Sequence, residues 1–110
     1  MVSIFEQGDI IQLDFEPHKG HEPSKVRPAL VVSSDSFNRR SSLTAVCPIT
    51  TTNSGYPLHV GIVTEEVMGF ACIEQLRTLD LSARKCRFVA KASAEEMDMV
   101  LSYIGAVFGI

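Results

Sequence analysis

The sequence predicts a mostly β domain with one C-terminal helix. We expect a small, barrel-like, strongly bent sheet of short antiparallel strands, with short helices in its connections. Two observations predict this class: short apolar segments recur with turn residues between them, and one late segment repeats its apolar residues at helical spacing. The length of 110 residues and the hydrophobic content of 45% suit a single domain over 1–110.

Strand-like segments make up most of the chain. In 10–15, apolar and polar residues alternate with the period of two that is typical of a half-buried strand. The segment 29–33 is almost continuously apolar, which predicts a central strand, and a long loop is predicted before it over 17–28. The other predicted strands, rich in β-branched and apolar residues, are 43–50, 58–63, 70–76 and 87–90.

Two short helices and one longer helix are predicted. The stretch "SSDSFNRR" offers a helical turn with Ser34 or Asp35 as N-cap, and 79–85 offers a second. Ser93 and Glu96 form the S-x-x-E capping box of a longer helix. Its apolar face, spaced for packing on the sheet, is Met97, Val100, Leu101, Ile104, Val107 and Phe108.

Composition narrows the class of protein. The net charge of −3 and the isoelectric point of about 5.5 argue against a bulk nucleic-acid coat protein, which carries a basic face. Cys47, Cys72 and Cys86 are an odd number of cysteines in apolar surroundings, which predicts reduced thiols and a cytoplasmic protein. Signal-peptide and membrane-span patterns are absent, and no Cys or His residues cluster along the chain as zinc ligands do.

Three blocks of residues resemble the MazF/PemK (Kid-like) toxin family. The first is "GDIIQLDFEPHKGHEPSKVRPALVVSSDSFN", with the family's G-D start, G-x-E loop and R-P-x-L-V strand. The second is "VCPITT", which carries the P-x-T of a strand end, and the third is "GFACIEQLRTLD", which carries an acidic-Gln-x-Arg-Thr pattern. The blocks occur in family order, at family spacing and in a chain of family length.

The resemblance implies a fold, an activity and a set of partners. Members share a compact SH3-like barrel and form homodimers. They are toxins of type II toxin–antitoxin pairs that cut single-stranded RNA such as mRNA without a metal or other cofactor, leaving a 2′,3′-cyclic phosphate and a 5′-hydroxyl. A cognate antitoxin blocks them, and we expect its inhibitory segment to be an acidic, disordered tail. No membrane partner is implied.

The resemblance also implies catalytic residues. Arg27 is the first candidate, because a permanently charged guanidinium grips two phosphate oxygens at once. Thr50, at the family's P-x-T position, is a candidate donor to a phosphate oxygen. Glu22 and His21 are alternative general bases, Glu22 as a carboxylate near Arg27 and His21 as an imidazole that transfers protons near neutral pH. Without the resemblance, an ion pair at the barrel rim is the plainer interpretation of Arg27.

Further residues are candidates for binding RNA. Lys19 and Lys25 extend the positive charge of Arg27 along the loop. Glu74, Gln75 and Arg77 belong to the third block, and Glu74 is suited either to accept hydrogen bonds from a base edge or to act as an acid/base. The sequence departs from the family pattern at two positions: Pro23 replaces a glutamine, and Cys72 replaces an arginine of the Kid-like branch.

Two other functions fit the same predicted barrel. A CcdB-like toxin would poison a topoisomerase by binding it, and a plain SH3-like module would bind a partner without catalysis. Convergence of Arg27 and Thr50 favours the nuclease, and RNA cleavage in the presence of EDTA separates it from both alternatives.

Overall fold

One curled antiparallel sheet with a helix packed against it forms the structure, which is a computed structural model describing residues 4–15, 26–53 and 55–110. In these ranges seven strands lie in the spatial order β4-β5-β3-β2-β1-β7, and β6 lies beside β3. The mostly β fold class is therefore confirmed. The strands are β1 (Asp9–Asp14), β2 (Val26–Val31), β3 (Thr44–Thr50), β4 (His59–Val63), β5 (Met68–Cys72), β6 (Arg77–Leu79) and β7 (Cys86–Lys91).

The helices follow the predicted signals closely. Helix α1 (Asp35–Ser41) begins after Ser34, whose side chain accepts the amide proton of Phe37. Helix α2 (Ala94–Phe108) begins at the predicted capping box, because Ser93 and Glu96 each accept the other's backbone N–H. Single turns of 3₁₀ helix occur at Ile73–Gln75 and Leu81–Ala83. None of the helices in the described ranges is long and apolar enough to cross a membrane.

Three predicted boundaries are wrong. Strand β2 begins at Val26, inside the predicted loop 17–28, because its first residues pair with the end of β1. The predicted strand 70–76 ends at Cys72 and continues as the Ile73–Gln75 turn. The predicted helix 79–85 shrinks to one turn, and β6, which no sequence pattern indicated, precedes it.

Both faces of the central strands are buried, which explains their nearly continuous apolar sequence. On one face Ile10, Leu30 and Cys47 belong to a core that Met97 and Val100 of α2 complete. On the other face a second apolar cluster brings β1, β2 and β3 together with the Leu81–Ala83 turn; its buried members are Phe5, Ile11, Leu13, Phe15, Ala29, Val31, Val46 and Leu81. A strand with two cores is fixed in register, since a shift by one residue would exchange its faces.

Strand β3 pairs with three other strands. It pairs with β2 along one edge, and its other edge is divided between β6 at Thr44–Val46 and β5 at Ile49 and Thr50. Phe70 lies opposite Thr50, and Arg77 lies opposite Val46. The chain therefore advances seven residues from Phe70 to Arg77 along a stretch of β3 that is only four residues long. The three extra residues are the Ile73–Gln75 turn, which is therefore extruded from the sheet edge.

The second half of α2 leaves apolar side chains uncovered in the single chain. Met97 and Val100 are buried, but Leu101, Val107 and Phe108 are exposed, Phe108 to 68%. Val107 and Phe108 line a cleft with Leu76 and Glu74 of the adjoining turn. Contiguous apolar surface at a helix end is typical of a protein–protein interface.

We expect this surface to bury itself in a homodimer, as the family resemblance also implies. Phe108→Lys should raise the dimer dissociation constant by about 10–100-fold, because a charge would enter an apolar contact. Sedimentation velocity over a range of concentrations measures the effect. Phe88→Lys on β7 is the matched control, since Phe88 is also exposed, to 53%. A wild-type monomer at micromolar concentration would contradict the prediction.

Candidate active site

Arg27 and Thr50 lie on the same face of the sheet. Ala29 of β2 is opposite Pro48 of β3, and partners in an antiparallel pair point to the same side. Arg27 and Thr50 are each two residues from these partners, in opposite chain directions, so they share that face and the register sets them level with each other. The cation and the hydroxyl predicted from the sequence therefore lie on one face of two neighbouring strands.

The same face continues onto β5 and β4. Thr50 is opposite Phe70, Cys72 lies two residues beyond Phe70, and His59 of β4 is opposite Cys72. Alternation along the strands therefore places Thr50, Cys72 and His59 together on the side that carries Arg27. Cys72 is buried and forms the floor of this region, which we call the polar face and define as Arg27, Thr50, His59, Cys72 and Glu74.

Glu74 reaches this face because its turn is extruded. Its carboxylate oxygen Oε2 lies 3.0 Å from Nε2 of His59, a hydrogen-bonding distance. The side chain of Glu74 is 24% exposed, so the carboxylate meets both His59 and solvent. In the predicted strand 70–76, alternation would have placed Glu74 on the face of Cys72; the strand instead ends at Cys72, and Glu74 lies on the turn that follows.

His59 is the residue of the polar face that the sequence analysis did not identify. Its side chain is 7% exposed, and its ring lies 5.5 Å from the ring of Tyr56. Because a carboxylate only accepts hydrogen bonds, a neutral His59 donates from Nε2 and keeps a lone pair on Nδ1. That buried Nδ1 has no hydrogen-bond partner among the described residues. Alternation in "LHVGIV" was the available signal, since it placed His59 on a strand face.

The hydroxyl of Thr50 accepts one hydrogen bond from the backbone. Its Oγ1 accepts the backbone N–H of Thr52 at 3.2 Å, which turns the chain sharply after β3. Within the described ranges no acceptor lies within hydrogen-bonding distance of the hydroxyl proton, so the hydroxyl is available to donate to a ligand oxygen. The half-buried Thr50 thus has a fixed backbone and a usable proton.

The thiols around the polar face are neutral at physiological pH. Burial, followed by the negative charge of Glu74, raises the pKa of Cys72, and the cation of Arg27 opposes this rise. Burial, with smaller contributions from Cys72 and Glu74, raises the pKa of Cys47 to about 12. The three cysteines are free, as predicted, and the Cys72 thiol is influenced by charges of both signs, from Arg27 and from Glu74.

Two further predicted residues lie at the edge of this region. Arg77, the first residue of β6, holds its guanidinium 5.3 Å from the ring centre of Phe15, in a cation–π contact. Gln75 is exposed on the same turn as Glu74. Both residues are solvent-accessible and adjoin the polar face through their neighbours in the chain.

Four predicted site residues lie outside the described residues: Lys19, His21, Glu22 and Lys25. Their assignments stay predictions. The described chain resumes at Val26, directly before Arg27, and breaks off after Phe15, so the loop that carries them is joined to the sheet beside the polar face.

Three residues that are not clustered along the sequence form one group that could hold a metal ion, and the expectation of no metal stays a prediction. His59, Cys72 and Glu74 each offer a ligand atom, and these atoms lie within 4.8 Å of one another. Residues 59, 72 and 74 are separated in the sequence, so no C-x-x-C or H-x₃-H spacing indicated them. Only the pairing of β4 with β5 and the following turn brings them together.

A small curled β sheet with a cation, a hydroxyl and a carboxylate–imidazole pair on one face has the features of an enzyme that acts on a phosphate ester. Residues 6–108 match the model of the "PemK-like, MazF-like toxin of type II toxin-antitoxin system" family. The chain belongs to this family.

Similar proteins agree with this assignment. The chain is 31% identical over 104 residues to "Endoribonuclease toxin MazF" of Escherichia coli (strain K12), covering 94% of each protein. It is 34% identical over 111 residues to "Endoribonuclease toxin ChpB" of the same organism, covering 96% of this chain and 95% of that protein. Among solved structures, the MazE-MazF (Form-II) crystal structure from Deinococcus radiodurans has a TM-score of 0.88 at 31% identity and covers 99% of both chains.

Gly69 allows the close approach that positions Thr50. A Cβ at Gly69 would lie 2.6 Å from the carbonyl oxygen of Thr50 and 2.9 Å from Cγ2 of Ile49. Only a residue without a side chain therefore fits where β5 passes the end of β3.

Gly69→Ala should destabilise the protein by about 1–3 kcal/mol, because either β5 or the backbone of Thr50 must move. Chemical denaturation measures the change in the free energy of unfolding. Gly61→Ala is the matched control from the paired strand β4, since its Cβ meets nothing nearer than 4.0 Å, and it should cost less than about 1 kcal/mol. Equal losses for the two variants would contradict the assigned contact.

Proposed function

We propose that this protein is a toxin that cuts single-stranded mRNA by a metal-independent transesterification. Its place among type II toxins comes from the family match over residues 6–108, and relatives at 31% and 34% identity are named endoribonucleases. The alternatives, a topoisomerase poison and a plain binding module, are not favoured by these relatives. The arrangement of the polar face supports a specific division of chemical roles.

The proposed reaction needs three groups from the protein. The 2′-hydroxyl of the RNA attacks its own 3′-phosphate and forms the new P–O2′ bond, while the P–O5′ bond breaks. A base takes the 2′ proton, and an acid supplies a proton to the leaving 5′ oxygen. A cation stabilises the charge on the non-bridging phosphate oxygens in the transition state. The products are a 2′,3′-cyclic phosphate and a 5′-hydroxyl.

Arg27 and Thr50 are proposed to hold the scissile phosphate. The guanidinium of Arg27 is permanently charged and donates two parallel hydrogen bonds to phosphate oxygens. Thr50, on the neighbouring strand and level with Arg27, donates its hydroxyl proton to the same group. Both side chains start from strands whose register is fixed by two buried cores, so little ordering accompanies substrate binding.

Glu74 and His59 are proposed to move the protons. Their 3.0 Å contact pairs a carboxylate, which accepts a proton, with an imidazole, which donates and accepts near neutral pH. Glu22 and His21 stay alternative acid/base candidates on the loop outside the described residues. Lys19, Lys25, Gln75 and Arg77 are proposed to bind the RNA backbone and bases beside the cleavage point.

The observation that carries this proposal is the grouping of its residues: Arg27, Thr50 and His59 share one face of the sheet by strand register, and Glu74 contacts His59 at 3.0 Å. Arg27 and Glu74 both influence the pKa of Cys72, in opposite directions, which agrees with this grouping. Cys72 itself, buried and neutral, takes no part in the chemistry.

The antitoxin is proposed to occupy the same face. The solved relatives include MazE-MazF complexes, and a type II toxin has an antitoxin partner. The polar face offers Arg27 as a cation, and its surroundings add the cation of Arg77 and the exposed Tyr56 as an apolar contact. An acidic, apolar tail that orders on binding would complement these groups and mimic the RNA phosphates.

Arg27→Ala should lower the rate of RNA cleavage about 10²–10³-fold, because one preorganised transition-state donor contributes that much. Arg27→Lys should recover little of the loss, since an ammonium cannot replace the bidentate fork. Cleavage is measured in EDTA on a single-stranded RNA, and new 5′-hydroxyl ends are detected by labelling with polynucleotide kinase.

Two controls accompany the measurement of cleavage rates. Arg87→Ala removes an exposed arginine from β7 and should leave the rate unchanged within about twofold, with the same net charge as Arg27→Ala. An RNA with a 2′-deoxy nucleotide at the cleaved position should resist wild-type protein, because it lacks the nucleophile. Loss of wild-type activity in EDTA, restored by Mg²⁺, would contradict the proposed mechanism.

Antitoxin binding should compete with RNA and weaken as salt rises, because both ligands present negative charge to the same cations. Fluorescence anisotropy of a labelled, 2′-deoxy-substituted RNA on the toxin follows displacement by the antitoxin co-purified from the native host. Simultaneous binding of RNA and antitoxin to one protomer would contradict a shared face.

A further inference from the structure

We propose that His59, Cys72 and Glu74 form a Zn²⁺ site, and that the bound ion inhibits RNA cleavage. A ring nitrogen, the Sγ atom and a carboxylate oxygen of these residues lie within 4.8 Å of one another. The metal-binding half of the inference is independent of the proposed function, whereas the inhibition rests on it.

The three donor atoms match zinc better than the hard cations. Thiolate and imidazole are ligands of Zn²⁺, whereas Mg²⁺ and Ca²⁺ take oxygen ligands. Bond lengths to zinc set the spacing of two tetrahedral ligands at about 3.3–3.7 Å. The present Nε2–Oε2 distance is 3.0 Å, so a small movement of the solvent-facing Glu74 opens the space for an ion.

Burial preorganises two of the three ligands. Cys72 is 2% exposed and His59 is 7% exposed at its side chain, and paired strands hold their backbones opposite each other. The buried Nδ1 of His59 has no hydrogen-bond partner in the described part of the chain, so the ring is not held by a second bond.

The charges of the site also suit a divalent cation. Zn²⁺ displaces the proton of the Cys72 thiol into solvent, and the resulting thiolate and the Glu74 carboxylate neutralise the two positive charges of the ion. Three protein ligands leave a fourth position of a tetrahedral ion for water or a phosphate oxygen.

Inhibition follows from the identity of two ligands. Zinc binding occupies a lone pair on Glu74 and on His59, which are the proposed proton-transfer pair. A coordinated carboxylate and imidazole cannot exchange protons with RNA at their former rates. The ion would therefore stop cleavage without displacing Arg27 or unfolding the sheet.

Metal binding is tested first, without RNA. Co²⁺ serves as a spectroscopic probe, because a cobalt–thiolate bond gives an intense near-ultraviolet charge-transfer band. Wild-type protein should show this band at one ion per chain and lose it when Zn²⁺ is added. Cys72→Ser should abolish the band, whereas Cys86→Ser, which removes the half-buried thiol of β7, should retain it.

The affinity for zinc is measured by calorimetry on the same proteins. Cys72→Ser should weaken it by at least about 10–100-fold, because even groups that only support metal ligands contribute that much. If Cys72→Ser does not fold, Glu74→Gln, a change on an exposed turn, takes its place in the measurement of zinc affinity. A wild-type protein without a cobalt–thiolate band, or one whose band persists in Cys72→Ser, would overturn the site.

Inhibition is then measured on cleavage in chelated buffer followed by added Zn²⁺. Wild-type activity should fall as the site fills, and Cys72→Ser should keep cleaving at the same zinc concentrations. Equal inhibition of the two proteins would overturn the inhibitory role. A normal cobalt spectrum with no cleavage in EDTA would instead refute the proposed function and leave the metal site standing.

Discussion

The pairing of β3 with three other strands is the constraint on which the rest of the structure depends. β2 occupies one edge of β3, while β5 and β6 divide the other. The strand positions every residue of the polar face, directly or through a neighbouring element. Arg27 depends on β2, Thr50 on β3 itself, Cys72 on β5, His59 on the β4–β5 pair, and Glu74 on the turn that follows β5. Displacement of β3 would separate the cation from the carboxylate–imidazole pair.

Two apolar cores keep β3 in place. Cys47 and Ile49 enter the core under α2, and Val46 enters the cluster on the other face. A polar surface built on such a strand has little freedom, because movement toward either side would disrupt close packing. The protein therefore combines an acidic overall charge of −3 with a local arrangement in which a few cations have fixed neighbours. The proposed site for an anionic ligand therefore depends on local geometry and not on net charge.

Local signals predicted the elements of the fold, while long-range pairing determined how they meet. The capping box at Ser93 and Glu96 and the alternation in β1 depend on a few neighbouring residues, and both were read correctly. The end of β5 at Cys72 could not be predicted, because "ACIEQL" is apolar enough to continue a strand. The turn leaves the sheet only because β5 and β6 both pair with the same edge of β3. Family resemblance identified Arg27, Thr50 and Glu74 as candidate site residues. Strand register and the turn after β5 bring them to one face of the sheet.

His59 shows where sequence reasoning stops. A lone histidine in an alternating strand is most often a packed side chain, and nothing near it in the chain indicates a carboxylate partner. Glu74 is fifteen residues away and reaches His59 only because β4 and β5 form a hairpin and the next turn leaves the sheet. Cys72 joins the same group through that hairpin, so the proposed metal site and the proposed acid/base pair arise from one tertiary contact.

The extruded Ile73–Gln75 turn has a consequence for how related proteins can diverge. The pairings of β5 and β6 with β3 are complete on either side of it, so the turn carries no ladder hydrogen bonds to that strand. Mutation can change the exposed Gln75 without altering the register of the sheet. Under the proposed function, substitution of Gln75 would change contacts with RNA while the strands that hold Arg27 and Thr50 stay the same.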